Sequence, residues 1–182
     1  MSDAQPIDRP TFELVLTERL ELRAVTPDDL DELYAINSDP GTWRHQPEGR
    51  HAAPVTTKEW IERAVARWDE GLSYWTARLR SDGTVVGVGG VQHIPAFGGW
   101  NLYYRLATAH WGRGYATELS RAAIEAARLH TPQLPVVAWI HAHNEGSRAV
   151  AARLDLIDHG LLPHPFYRQD LHLFTDRETP GC

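Results

Sequence analysis

Hydrophobic and polar positions change period several times along the chain, and each change marks an element. Residues 18–25, ERLELRAV, place Leu20, Leu22 and Ala24 on one face and charges on the other, the two-residue alternation of a half-buried strand. Thr26 and Pro27 then supply an N-cap and a first-turn proline, followed by Asp28 and Asp29, so a helix is expected to about Ile36. Residues 37–54 are rich in Gly, Pro and His and carry Trp43, a loop of a length that usually serves a function. Thr56 with Glu59 spells a capping box, after which Trp60, Ala64, Val65 and Trp68 fall on one side of a second helix. Beyond Gly71 the period returns to two. Residues 74–80, the turn Ser81-Asp82-Gly83 and residues 85–94 predict a hairpin, and Gly98-Gly99 turns the chain into a third strand over 100–106. Gly87, Gly89 and Gly90 within one of these strands point to a bulge or a close backbone approach. A glycine-bearing turn then opens a helix with Leu119, Ala123, Ala126 and Ala127 as buried candidates. Residues 136–141 read as an apolar strand, 147–154 as a short helix, and 161–175 as two strands around Pro163-His164-Pro165.

No repeat or linker interrupts this order, which predicts an α+β fold with helices interrupting a mixed sheet. One domain is expected over residues 11–182, behind a loose arm over 1–10 that contains Pro6 and Pro10. With 182 residues, 42% of them hydrophobic, the chain can bury a core without staples. Its one cysteine, Cys182, excludes a disulfide framework and suggests a reducing, cytoplasmic setting. No apolar run approaches the roughly 18 residues of a membrane span, and MSDAQPIDRP lacks the basic and apolar regions of a signal peptide. The net charge of −6 is uneven: 16 acids and 10 bases lie up to Val91, and 8 of each lie after it. With no basic run or stripe, neither nucleic acid nor a membrane surface is expected as a partner.

The segment from Tyr104 to Thr117 carries the chemistry. A strand runs into Gly112-Arg113-Gly114, whose missing side chains let an anion approach the backbone, and a helix opens at once behind it. Free N–H groups at that helix start, with the positive end of the dipole, form a phosphate site, and Arg113 can add a charge-assisted bond. A Walker loop is excluded because no Gly-Lys-Ser/Thr follows. A dinucleotide fingerprint is excluded as well. The run reads GRGYAT, and the next strand ends in His141 instead of an acid for a ribose.

At this point the residues resemble the GCN5-related N-acetyltransferase (GNAT) superfamily, and within it the ribosomal-protein-alanine N-acetyltransferase branch. TERLELRAVTPDDLDEL is similar to that branch's first strand and helix, YRLATAHWGRGYATE to its acetyl-CoA segment, and HAHNEGSRAVAARLDL to its ending after the fifth strand. The resemblance implies a single GNAT-like domain, a mixed, mostly antiparallel sheet of about seven strands flanked by four helices. Its donor would be acetyl-CoA, with no metal. Tyr104, Arg105, Leu106, Gly112, Arg113, Gly114, Tyr115, Ala116, Thr117, Asn144 and Ser147 would hold the donor. Ser147 would act on the thiol, and His141 is the first choice of base, since histidine titrates near neutral pH; His93 is the second. Three departures stand out. Trp111 takes the Gln or Arg place of the phosphate motif, Leu154-Asp155-Leu156 replaces Leu-Gly-Phe, and Ala151 occupies the place of a tyrosine acid.

These residues also have structural readings. Ser147, three residues after Asn144, is placed to cap the last helix. Trp43 either lines a pocket or covers the first helix. Tyr167, Arg168 and Asp170 match branch positions and equally suit a turn. His141 and His143, two apart, are expected on opposite faces, unable to share a metal. The function expected is transfer of an acetyl group to a primary amine, a protein N-terminus or a small amine, by direct attack in a ternary complex. The alternatives are a non-catalytic acyl-CoA-binding sensor and transfer of a larger acyl group such as succinyl. Homodimer formation is left open. The acidic first half gives a reason to expect a positively charged acceptor.

Overall fold

The structure, a computed structural model, describes residues 11–178; the expected arm over 1–10 and Cys182 lie outside the described residues. Among these residues eight strands form one sheet in the order β1-β2-β3-β4-β5-β6-β8-β7. They are β1 (Leu14–Leu16), β2 (Leu20–Ala24), β3 (Tyr74–Leu79), β4 (Val85–Ile94), β5 (Gly99–Leu106), β6 (Val136–Ile140), β7 (Ile157–Pro163) and β8 (Asp170–Thr175). Every pairing is antiparallel except β5 with β6. The strand beyond the expected seven is β1, three residues long and too short to show a period of its own.

Four α-helices cover the sheet: α1 (Leu30–Ser38), α2 (Pro54–Ala66), α3 (Tyr115–His130) and α4 (Glu145–Arg153). One face of the sheet buries Leu22, Trp75, Leu102 and Leu106 against α3, with Leu119, Ala123, Ala126 and Ala127 all inward as expected. The other face buries Val25, Tyr74 and Val88 under α1 and α2. Two expectations at α2 fail. Its first residue is Pro54, pre-set for the N1 position, so Thr56 lies inside the first turn and no side chain caps the helix. Ile61 turns inward beside Ala64, and Val65 is exposed.

Asp29 fixes where α1 leaves the sheet. Its buried carboxylate accepts from the Thr26 N–H at 2.9 Å, from Thr76 at 2.8 Å, and from the guanidinium groups of Arg23 at 2.7 Å and Arg78 at 2.9 Å. Burial alone would raise its pKa, but these donors and cations outweigh that and hold it below the ordinary value. The acid therefore stays charged through the physiological range, and its contribution to stability is lost as pH falls through the lowered value.

The glycines of β4 do mark a bulge and a close approach. Ala77 pairs with Gly87 and Arg78 with Val85, which leaves Val86 as the extra residue. A Cβ on Gly89 would lie 2.7 Å from the Tyr103 carbonyl oxygen and 2.9 Å from Leu119, so this strand has no room for side chains where α3 crosses it.

After α4 the departure noted in the sequence takes a definite form. Asp155 has φ +54, the one non-glycine residue in the left-handed region among the described residues. The Leu156 N–H then bonds to the Ala151 carbonyl at 3.1 Å, and both leucines pack on the core, so the helix ends as a glycine would end it. Asp155→Gly removes the cost of a Cβ there and should raise stability by about 1 kcal/mol, read as a higher urea midpoint. An unchanged midpoint would show that the aspartate carries no strain.

Candidate active site

β5 and β6 pair at Trp100 with Val136 and at Asn101 with Val137, and then separate. On its other side β5 stays paired with β4 as far as Leu106, and β6 stays paired with β8 as far as Ile140. The β5 backbone from Leu102 to Leu106 thus has an edge without a strand partner, facing a cleft of about 970 Å³. Tyr104, Arg105, Leu106, Gly112, Gly114, Tyr115, Ala116, Thr117, His141, Asn144 and Ser147 all line this cleft.

At one lip, β5 leads through Thr108–His110 into the glycine turn and α3. Gly112 and Gly114 have φ +73 and +82, and Gly114 is the N-cap of the helix. A Cβ on Gly112 would meet nothing, so its backbone faces open space. The N–H groups of the first turn of α3 have no intrahelical partner, which makes this lip an anion site. The side chain of Arg113 does not line the cleft; its carbonyl accepts from Arg19 at 2.8 Å. Arg19 also forms an ion pair with Glu118 at 2.7 Å, and Thr17 donates to the same carboxylate at 2.6 Å. Burial would raise the Glu118 pKa, but Thr17 and Arg19 more than offset this and keep the acid ionised. This latch ties the helix start to the turn between β1 and β2 and neutralises an acid beside the anion site. The contact spans 99 residues of chain, so local pattern could not have indicated it.

At the other lip, β6 ends before His141, and Asn144 opens α4. Asn144 Oδ1 accepts from the Ser147 N–H at 3.1 Å, so Asn144 is the cap and the Ser147 hydroxyl is left for the cleft. The Tyr104 phenol faces Ser147. Burial pushes its pKa up to about 12, against the pull of that contact, and it remains a proton donor at neutral pH. Ala151, buried on α4, lines the same region.

The histidines differ from expectation. The turn after β6 brings the His141 and His143 rings to 5.3 Å, where strand alternation would have opposed them, and His45 from the long loop lies 5.2 Å from His143. Burial, then the charge of His143, lowers the His141 pKa, with Glu48 pulling the other way. A lowered value leaves the imidazole free to accept a proton at pH 7. His93 does not reach the cleft; its ring packs on Trp100 at 5.6 Å. Among the described residues, no group of three or more His, Cys, Asp or Glu is arranged to hold a metal ion. Nor, among those residues, is any helix long and apolar enough to cross a membrane.

The loop between α1 and α2 forms the roof. Trp43 is buried and lines the cleft, and its indole N–H donates to the Asn37 carbonyl at 2.7 Å. The Arg105 guanidinium lies over the Trp43 ring at 3.3 Å, donates to the Thr42 carbonyl, and takes the Tyr103 hydroxyl as an acceptor at 3.0 Å. So the backbone of Arg105 faces the cleft while its side chain holds the roof down. The arginines among the lining residues are Arg44, Arg105 and Arg153, and no Asp or Glu of the described residues joins them. Several acids of the first half pair away from it, as with Asp29 against Arg23, Glu32 against Arg78, and Glu62 against Lys58, while the charge of Glu48 reaches His141. The lining itself therefore supplies no carboxylate to a positively charged acceptor.

The acetyltransferase (GNAT) domain model matches residues 19–157. The uncharacterized protein YkkB of Bacillus subtilis (strain 168) is 25% identical over 151 residues, 78% of this chain and 84% of its own length. The solved acetyltransferase of Agrobacterium tumefaciens str. C58 is 26% identical, with a TM-score of 0.77 over 91% of this chain and 94% of its own. RimL, a ribosomal L7/L12 alpha-N-protein acetyltransferase solved with coenzyme A, has the same fold at 17% identity, with a TM-score of 0.75 over 90% of this chain and 97% of its own.

Removing the guanidinium that pins the roof should loosen it. Arg105→Ala is expected to speed tryptic cleavage after Arg44 and Arg50 several-fold, the roof losing a cation–π contact and a charge-assisted hydrogen bond worth together about 2 kcal/mol. Cleavage at the parent rate would mean that the loop is held by other contacts.

Proposed function

The chain belongs to the GNAT acetyltransferase family, whose donor is acetyl-CoA, and we propose that this member passes the acetyl group directly to a primary amine held beside the thioester in a ternary complex. The observation that carries this reading is the unpaired edge of β5 running between two helix N-termini. A pantetheine arm has amides that can complete such an edge, and the pyrophosphate suits the N–H groups at Gly112–Thr117. The glycine turn fits this donor chemically, since a side chain at Gly112 or Gly114 would take the space a phosphate needs.

On this reading His141 takes a proton from the acceptor ammonium, or from the amine as it attacks. The nitrogen adds to the thioester carbonyl carbon, and a β5 backbone N–H stabilises the oxyanion. The carbon–sulfur bond then breaks, and the departing thiolate receives a proton from Ser147, which Tyr104 can resupply. No covalent acyl-enzyme forms, because no cysteine or other activated nucleophile lines the cleft among the described residues. The phenol of Tyr104 compensates for Ala151, which has no proton to give.

Isothermal titration with acetyl-CoA should show binding that Gly114→Asp weakens at least tenfold, since the new carboxylate opposes the phosphates and adds a Cβ at φ +82. Unchanged affinity would refute the phosphate site. A thiol-release assay across a panel of amines separates transfer from mere binding. In the same assay, kcat/KM should rise with pH through one group lying below the ordinary imidazole value of 6.5. His141→Ala should remove that limb and lower kcat/KM by about a hundredfold. A profile unaltered by the substitution would take the base role from His141.

A further inference from the structure

At the end of the cleft away from the glycine turn, five aromatic side chains converge from three parts of the chain. Phe97 comes from the β4–β5 turn, Trp139 from β6, and His164, Phe166 and Tyr167 from the β7–β8 connection. All five line the cleft. Phe97 lies 5.9 Å from Trp139, 5.3 Å from His164 and 5.4 Å from Phe166, and Tyr167 stacks on His164 at 4.4 Å. These are ordinary aromatic packing separations, yet Phe166 is 64% exposed and Tyr167 46%. Rings left this open add little to a core.

The rings are also held in place. His164 is buried, and its Nδ1 accepts from the N–H groups of Phe166 at 3.1 Å and Tyr167 at 3.2 Å. That arrangement needs an unprotonated Nδ1, and burial followed by the charge of His141 lowers the His164 pKa accordingly. A surface organised before its ligand arrives loses little entropy on binding. The surrounding charge matters as much. Among the described residues no carboxylate lines the cleft, and Glu48, whose charge reaches His141 from outside the lining, is a single acid, so an acceptor bearing several ammonium groups would be desolvated without enough counter-ions.

We propose that the acceptor is a primary amine carrying an aromatic group, received by the ring cluster of Phe97, Trp139, His164, Phe166 and Tyr167. This assignment of substrate class rests on the reading of the cleft as an amine acetyltransferase site. The aromatic group stacks on the open ring faces while the amine extends past Trp139 toward His141, which follows the last residue of the same strand.

The protein saturated with CoA, which cannot react, is titrated with 2-phenylethylamine, ethylamine and spermidine. 2-Phenylethylamine should bind at least tenfold more tightly than either of the others, the ratio supplied by about 1.4 kcal/mol of ring contact. Phe166→Ala and Tyr167→Ala, both at exposed positions, should each remove most of that margin while CoA binding persists. Tripeptides beginning with phenylalanine or alanine show whether the aromatic group can come from a peptide N-terminus. Equal affinity for the three amines, tighter binding of spermidine, or a margin untouched by both substitutions would overturn the proposal. Failure of CoA to bind would instead remove the acetyltransferase reading of the cleft, and the same amine comparison on the free protein would still decide the ring preference.

Discussion

β5 and β6 share two residue pairs and then part, and the site depends on that separation. Neither strand can close the gap, because β5 is paired with β4 to its end and β6 with β8 to its end. Moving either one would break a ladder on its far side. Backbone groups left unpaired on an interior edge are costly unless water or a ligand satisfies them, so the sheet presents a standing demand for an amide-bearing partner. The same separation sets the two helices. α3 starts just beyond the end of one strand and α4 just beyond the other, so both sets of free helix N–H groups open at the cleft.

Long-range polar contacts then keep these pieces in register. Asp29 draws Arg23 and Arg78 together beneath α1, Arg105 fastens the loop after α1 to β5, and Arg19 fastens the first turn of α3 to the turn between β1 and β2. Each involves an arginine whose several donors can satisfy more than one acceptor. The Arg19 contact has an electrostatic role as well. Glu118 sits in the first turn of α3, where its charge would repel an anionic ligand, and the guanidinium cancels it locally.

The acceptor end illustrates how little net charge says about a concave site. The chain carries −6, and most of its excess acid lies over residues 26–38, in α1 and the turn before it, yet among the described residues the cleft lining contains arginines and histidines and no carboxylate. The charges that count are those few that face the substrate in low dielectric.

What the sequence determined by itself is local. Periods of two and of 3.6, proline at helix starts and glycine at turns fix the elements, because side-chain direction and backbone freedom act over a few residues. The glycine turn, His141, Asn144 and Ser147, all of which line the cleft, could be named as candidates for that reason, and the family resemblance implied their order along the chain. What only the tertiary structure decided is which distant groups meet. The ion pair of Arg19 with Glu118, the Tyr104 phenol at Ser147, the ring cluster built on Phe97 and Phe166, and the exclusion of His93 all depend on strand register and on where β5 leaves β6. No local period encodes such contacts, because they join side chains that are neighbours in space and far apart along the chain.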